Sequence, residues 1–241
     1  MNELEGNIGG ILSHRRKVGK AIVEAIPADI RWIKGAPALE QDYPHPWHWA
    51  GYELKTRYTY RLNLERGFEA VEQGFGSDTR YDVRKAQGAG LSVSEESDID
   101  ALMALVRENA ASGKLLLKPH EEELLPRLAA MLLEQGLGKL SAVRGSDGAI
   151  QGMALVGSFG GKSFYLFSAQ SPAHSSGGGM TLLLSEAIRR ACATDNIFDF
   201  EGSMIEGIEG FFRGFGGRPV PYLMIEKNAL PLPIRWIRKL R

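Results

Sequence analysis

From Met180 onward the apolar positions are Met180, Leu183, Leu184, Ala187, Ile188 and Ala191, spaced at i, i+3, i+4, i+7, i+8 and i+11. One stripe with a period near 3.6 predicts an amphipathic helix. The same spacing predicts a helix over residues 11–26, with Val18, Ile22, Val23 and Ile26 on one side. Two more helices carry Ile99, Leu102, Met103 and Val106, then Leu124, Leu125, Leu128 and Leu132. Ser97 with Asp100 matches a capping box for the first of these, Pro119 suits the first turn of the second, and Gly136 stops it. Shorter helices are expected over 67–73, over 78–87 with Gly88 as its end, and around Ile205, Ile208, Phe211 and Phe212.

Between the helices the pattern changes to runs of β-formers. Residues 30–33, 58–64, 91–93, 139–144, 150–158, 162–168, 196–201 and 219–225 read as strands. Ser146-Asp147-Gly148 and Gly160-Gly161 are hairpin turns, so residues 139–170 should form an antiparallel three-stranded meander. The prolines between 37 and 52 are expected to exclude regular structure. From residue 90 the order is β-α-α-β-β-β-α-β-α-β. That order predicts a mixed α/β fold, a central twisted sheet flanked by helices on both faces.

The composition narrows the function only a little. Of 241 residues, 44% are hydrophobic and 24% charged, and Lys plus Arg (29) equals Asp plus Glu (29). No global basic field points to DNA or an anionic membrane. No run reaches the roughly 18 apolar residues of a membrane span, and no leader is visible, so a cytoplasmic protein is expected. The single cysteine, Cys192, follows the patterned helix and reads as a packed thiol. His45 and His48 have no Cys or second His pair beside them, and no metal is expected. Trp47 and Trp49 either line a cleft or cover the core. The last residues are basic, with Arg235, Arg238, Lys239 and Arg241 in a solvated tail.

Chemistry concentrates around residues 174–180, where three consecutive glycines, Gly177, Gly178 and Gly179, separate a strand from the patterned helix. Glycines let a backbone approach a ligand closely, and a helix start offers N–H groups and partial positive charge to an anion. A tight connection without a ligand is the alternative. On the 78–87 helix Arg80 and Arg84 share a face beside Lys85. That cluster either holds an anionic substrate or is a solvated face. Asp199 and Glu201 lie two apart on a strand, so both should leave the same face about 7 Å apart. Carboxylates there are either bases or anchors satisfied by loop N–H groups or by Arg213. Ser203 lacks a nucleophile elbow and reads as a helix cap.

Three segments in order carry a family resemblance. The loop His174-x-x-Gly177-x-Gly179 and the element order resemble the GNAT acyltransferase fold. Arg80-Tyr-Asp-Val-Arg-Lys-Ala86, and Asp199-Phe-Glu-Gly-Ser-Met204 followed by Ile208-Glu-Gly-Phe-Phe-Arg-Gly-Phe-Gly216, resemble its Fem-like branch, related to the peptidoglycan aminoacyltransferases and methicillin-resistance factors. The resemblance covers roughly residues 55–227. It implies a GNAT-like domain over 61–227, preceded by residues 1–60, which look like the end of an earlier GNAT module, and followed by the tail 228–241, all in one compact unit.

The resemblance also implies an acyl donor, acetyl-CoA or another acyl-CoA. Phe167, Ser168, Ala169, His174, Gly177, Gly178, Gly179 and Met180 would bind it, with a backbone N–H of 167–169 facing the developing oxyanion. Glu201, or Asp199, would be the base. Arg80, Arg84, Arg213 and Trp47 would contact a small-molecule or peptide amine. Two positions depart from the family. His174 stands where Gln or Arg is usual. Phe212 stands where many acetyltransferases carry a tyrosine that protonates the leaving thiolate. Either another acid serves, or the thiolate leaves unassisted, or the donor is not a CoA thioester. An aminoacyl-tRNA donor is the second reading, which the zero net charge disfavours, and a non-catalytic binding protein is the third.

Overall fold

The structure is a computed structural model that describes residues 7–37, 43–113, 115–174, 177–202 and 204–231. Ser203 and the basic tail lie outside the described residues. In chain order the elements are α1 (Ile8–Glu24), β1 (Trp32–Gly35), α2 (His45–Trp49), β2 (Glu53–Asn63), α3 (Phe68–Gln73) and α4 (Ser77–Gly88). They continue with β3 (Ser92–Glu96), α5 (Ile99–Ala111), α6 (Pro119–Glu134), β4 (Gly138–Arg144), β5 (Ile150–Phe159) and β6 (Lys162–Gln170). A 3-10 turn, Pro172–His174, leads to α7 (Gly179–Ala191), β7 (Ile197–Asp199), α8 (Glu206–Gly214) and β8 (Arg218–Asn228). The chain divides into two compact units, Met1–Tyr58 with Pro221–Arg241, and Thr59–Val220.

In the smaller unit β1 pairs antiparallel with the end of β8, from Trp32 opposite Asn228 to Gly35 opposite Ile225. Trp47, Tyr52 and Ile225 form its core, with Ile22, Val23, Ile26 and Ile33 packed on them. The rings of Trp47 and Tyr52 meet edge to face at 5.2 Å. Helix α2 falls inside the stretch where prolines were expected to prevent regular structure. Pro46 sits in its first turn, where a missing N–H costs nothing because that group has no helical acceptor. Gly19 of α1 packs on that proline: a Cβ at Gly19 would lie 2.8 Å from its ring.

In the larger unit the strand order is β2-β7-β6-β5-β4-β3. Strands β3 to β6 run antiparallel in sequence, so the meander read from the two hairpin turns is present. β7 pairs antiparallel with β2 and parallel with β6. Side chains alternate between two helical layers. Leu140 and Ala142 of β4 and Met153 and Leu155 of β5 pack against α5 and α6. Val143 and Ala154, from the intervening positions, pack against α4 and α7. Burial on both faces explains why β5 reads as an almost continuous apolar run. Helix α5 is capped one residue later than the sequence pattern suggested: the Asp98 carboxylate, not Ser97, accepts from the Ala101 N–H at 2.9 Å.

One irregularity positions everything that follows. Leu155 faces Phe167, but Val156 faces Tyr165, so β6 holds one extra residue, Leu166, at this point. A bulge of this kind reverses the alternation. Phe167 and Ala169 pack in the α5–α6 layer, whereas Tyr165, of the same parity, packs in the α4–α7 layer. Ser168 is thereby on the same side as Tyr165.

Candidate active site

β7 pairs with β6 over three rungs, Lys162 opposite Ile197 to Phe164 opposite Asp199. There β7 ends, while β6 continues to Gln170. The backbone of β6 beyond Phe164 therefore has β5 on one side and no β7 rung on the other. A cavity of about 620 Å³ occupies this fork. Tyr165, Ser168, Ala169 and Gln170 of β6 form its floor; Gly178, Met180 and Thr181 line it from the start of α7, and Ile208, Phe211 and Phe212 from α8. Asp82, Asn109 and Leu115 complete the wall.

The start of α7 is built to leave donors open. Its first helical bond runs from the Leu182 N–H to the Gly178 carbonyl, so the N–H groups of Gly179, Met180 and Thr181 have no partner within the helix. Among the described residues no side chain caps it, and the N-cap is Gly178 in the left-handed conformation, φ 72°. The glycines play different parts. A Cβ on Gly178 would lie 2.7 Å from the Asp82 carbonyl oxygen, so here glycine allows α7 to meet the backbone of α4. A Cβ on Gly177 would meet nothing nearer than the His174 carbonyl at 3.8 Å. Near it, Nδ1 of His174 is buried without a hydrogen-bond partner among the described residues. Open N–H groups, a glycine with room in front of it and an orphaned ring nitrogen fit a phosphate-bearing donor.

A polar brace fixes this loop. The Gln170 side-chain amide donates to the His174 carbonyl at 2.9 Å. Asn109 donates to the Gln170 carbonyl at 2.8 Å and to that of Leu105 at 2.7 Å, tying the end of β6 to α5. Neither residue stood out in the sequence, since nothing in a single Asn or Gln announces its partner.

Asp199 and Glu201 do not share a face. The strand ends at Asp199, the Phe200 N–H donates to the Tyr60 carbonyl at 2.9 Å, and Glu201 turns into the left-handed region with φ 58°. Asp199 is buried and fully engaged: it accepts from Thr59 Oγ1, from Arg61 Nε at 2.6 Å and from the Glu201 N–H at 2.9 Å. Arg61 on β2 supplies the cation; Arg213 instead pairs with Glu209 at 3.1 Å on the surface of α8. Glu201 reaches solvent, yet partial burial, then the Asp199 charge, push its carboxyl above the usual carboxylate range, with Arg61 opposing. A left-handed backbone in a non-glycine residue carries a cost on the order of 1 kcal/mol and clusters at functional positions. Neither carboxylate lines the cavity, where the acidic side chain is Asp82.

The other expected contacts are dispersed. Arg80 donates to the carbonyls of Gln73 and Phe75 and so closes the end of α3. Arg84 is exposed on α4. Trp47 belongs to the core of the smaller unit. Tyr165 is the notable addition. Its ring meets Phe212 edge to face at 6.1 Å, and burial, opposed by the nearby Ser168 hydroxyl, pushes its pKa up to about 12.

Residues 75–210, more than half of the chain, match the family described as acetyltransferase (GNAT) domain. The chain belongs to the GNAT acetyltransferase family. The parallel fork, the cavity and the glycine start of α7 all lie within or beside the matched segment. This GNAT chain is therefore an acyltransferase. Among solved structures, FemX is similar over 95% of this chain and 78% of its own, with TM-score 0.65 and 15% identity. The C-terminal domain of a putative lysylphosphatidylglycerol synthetase from Agrobacterium fabrum is similar over 85% of this chain and 69% of its own, with TM-score 0.57 and 12% identity. A tandem GNAT protein from the clavulanic acid biosynthesis pathway is similar over 95% and 72%, with TM-score 0.52 and 14% identity. These likenesses are of fold. No curated protein matches the chain.

Proposed function

We propose that this GNAT enzyme moves an acyl group from acyl-CoA to the amine of a small molecule or peptide. The observation that carries the reading is the uncapped glycine start of α7 opening onto the β6–β7 fork. The N–H groups of Gly179, Met180 and Thr181 would hold the phosphates, and Gly177 leaves room for them. The donor, when bound, supplies an activated carbonyl whose leaving group is a thiolate. The exposed edge of β6 at 167–169 offers backbone N–H groups to the carbonyl oxygen. Glu201, exposed two residues beyond the last β6–β7 rung and raised in pKa, would take the amine proton from outside the cavity lining, at the open side of the fork. An aminoacyl-tRNA donor is the competing class, and the zero net charge gives it no support.

Titration calorimetry with acetyl-CoA tests the donor. Gly177→Val adds a side chain where a Cβ meets only an ordinary contact and should weaken binding at least about tenfold, with the melting temperature unchanged. Gly178→Ala should instead cost stability, on the order of 1–2 kcal/mol, through the Asp82 carbonyl. Wild-type protein that ignores acetyl-CoA and consumes charged tRNA would move the donor to the second class.

A further inference from the structure

Tyr165 is the first residue of β6 past the last rung with β7. Without the bulge at Leu166, Tyr165 and Ser168 would project from opposite faces of the sheet, because three steps along a regular strand reverse the side. The extra residue brings both to the cavity side. Both side chains line the cavity next to each other, and the neutral Tyr165 phenol has an O–H to donate there. Phe211 and Phe212 wall this point, with the Phe212 ring edge to face on Tyr165. A hydroxyl dipole beside aromatic rings is worth most where charge develops.

We propose that the Tyr165 hydroxyl, brought beside Ser168 by the bulge, donates a hydrogen bond to the carbonyl oxygen of the acyl group as that oxygen gains charge. The inference rests on the acyl-CoA reading. In the transfer the amine lone pair forms the C–N bond and the carbonyl π pair moves to oxygen, where Tyr165 meets it. The pair then returns, the C–S bond breaks and its electrons leave on sulfur. The amine loses one proton and the thiolate gains one, so the products are an amide and a thiol. Tyr165 keeps its own proton throughout. A phenol near 12 would give that proton to a thiolate, whose thiol is ordinarily about 8.5, only uphill by a factor on the order of 10³. A hydrogen bond needs no such transfer.

Acetyl-CoA labelled with carbon-13 at its carbonyl reports the bond directly. On wild-type protein the bound carbonyl stretch should fall below its value in solution. Tyr165→Phe keeps the ring against Phe212 and should return the band most of the way, with binding affinity within about twofold. With an amine that turns over, kcat should drop roughly 10²-fold while KM holds. Should Tyr165→Phe fail to fold, Ser168→Ala leaves the tyrosine in place and should return the band partway. A band that is the same in wild type and variant overturns the proposal while leaving the donor reading intact. Folded wild type that does not bind acetyl-CoA overturns both.

Discussion

The two ends of β6 carry opposite chemistry. At its start, Ser163 and the neighbouring Ser158 of β5 both donate to the buried carboxylate of Asp195, at 2.7 Å and 2.9 Å, and Thr194 adds a third hydroxyl at 3.1 Å. The space beside them is about 70 Å³. On the last rung with β7, Asp199 is just as fully engaged by Thr59, Arg61 and the Glu201 N–H. At the far end of β6 the hydroxyls and amides face a cavity nearly nine times larger, with open helix donors and an orphaned imidazole nitrogen. Buried polar groups that close on one another hold a scaffold. Buried polar groups left open are where a ligand completes the pairing.

The comparison is most sharply tested at Asp199. Asp199→Ala leaves Arg61, whose side chain is 18% exposed, without its carboxylate. The expected loss is about 3–5 kcal/mol, read by urea denaturation, and a loss below 1 kcal/mol would remove Asp199 from the scaffold. At the closed end, Asp195→Ala strands three hydroxyls and should cost on the order of 1–3 kcal/mol. Acetyl-CoA affinity of the folded fraction should not change; if it does, the two ends of β6 are coupled.

Glu201→Gln should disturb stability least. Its folded pKa lies above the free value, so its contribution is greatest below the ordinary carboxylate range and is lost as pH rises through the folded value. The wild type should therefore lose melting temperature across that window, by on the order of one degree given its exposure, and the glutamine variant should not. The change belongs in turnover, a loss of about 10²–10⁴ for a base. Lower stability at neutral pH with turnover intact would make Glu201 an anchor.

Much of this was legible in the chain. The stripe from Met180 to Ala191, the two hairpin turns and Pro119 each set their element through local chemistry, and local chemistry is what spacing records. The bulge at Leu166 was not, because the run Ser163-Phe-Tyr-Leu-Phe-Ser168 contains no glycine to mark it. Reading that run by strict alternation separates Tyr165 from Ser168 and hides the pair. Asp199 looked like a base because its partners, Thr59 and Arg61, stand about 140 positions earlier. A short polar residue announces neither how far its partner lies nor whether it has one. Prolines misled at α2 for the converse reason: their penalty depends on which turn they occupy, and Pro46 occupies the first.

The division of the chain has a consequence for the order of assembly on the ribosome. The larger unit is one uninterrupted stretch, Thr59–Val220, and everything it needs has been synthesised once that stretch has emerged. The smaller unit is drawn from both sides of it. Strand β1 is made early and finds its partner, the end of β8, only after the whole larger unit has been translated. Until then β1 lacks the strand it pairs with, and the core around Trp47 and Tyr52 lacks Ile225. Such an interval is when a chain is most open to misassociation. The larger unit can complete its own core ahead of that, while the smaller one waits for the last strand.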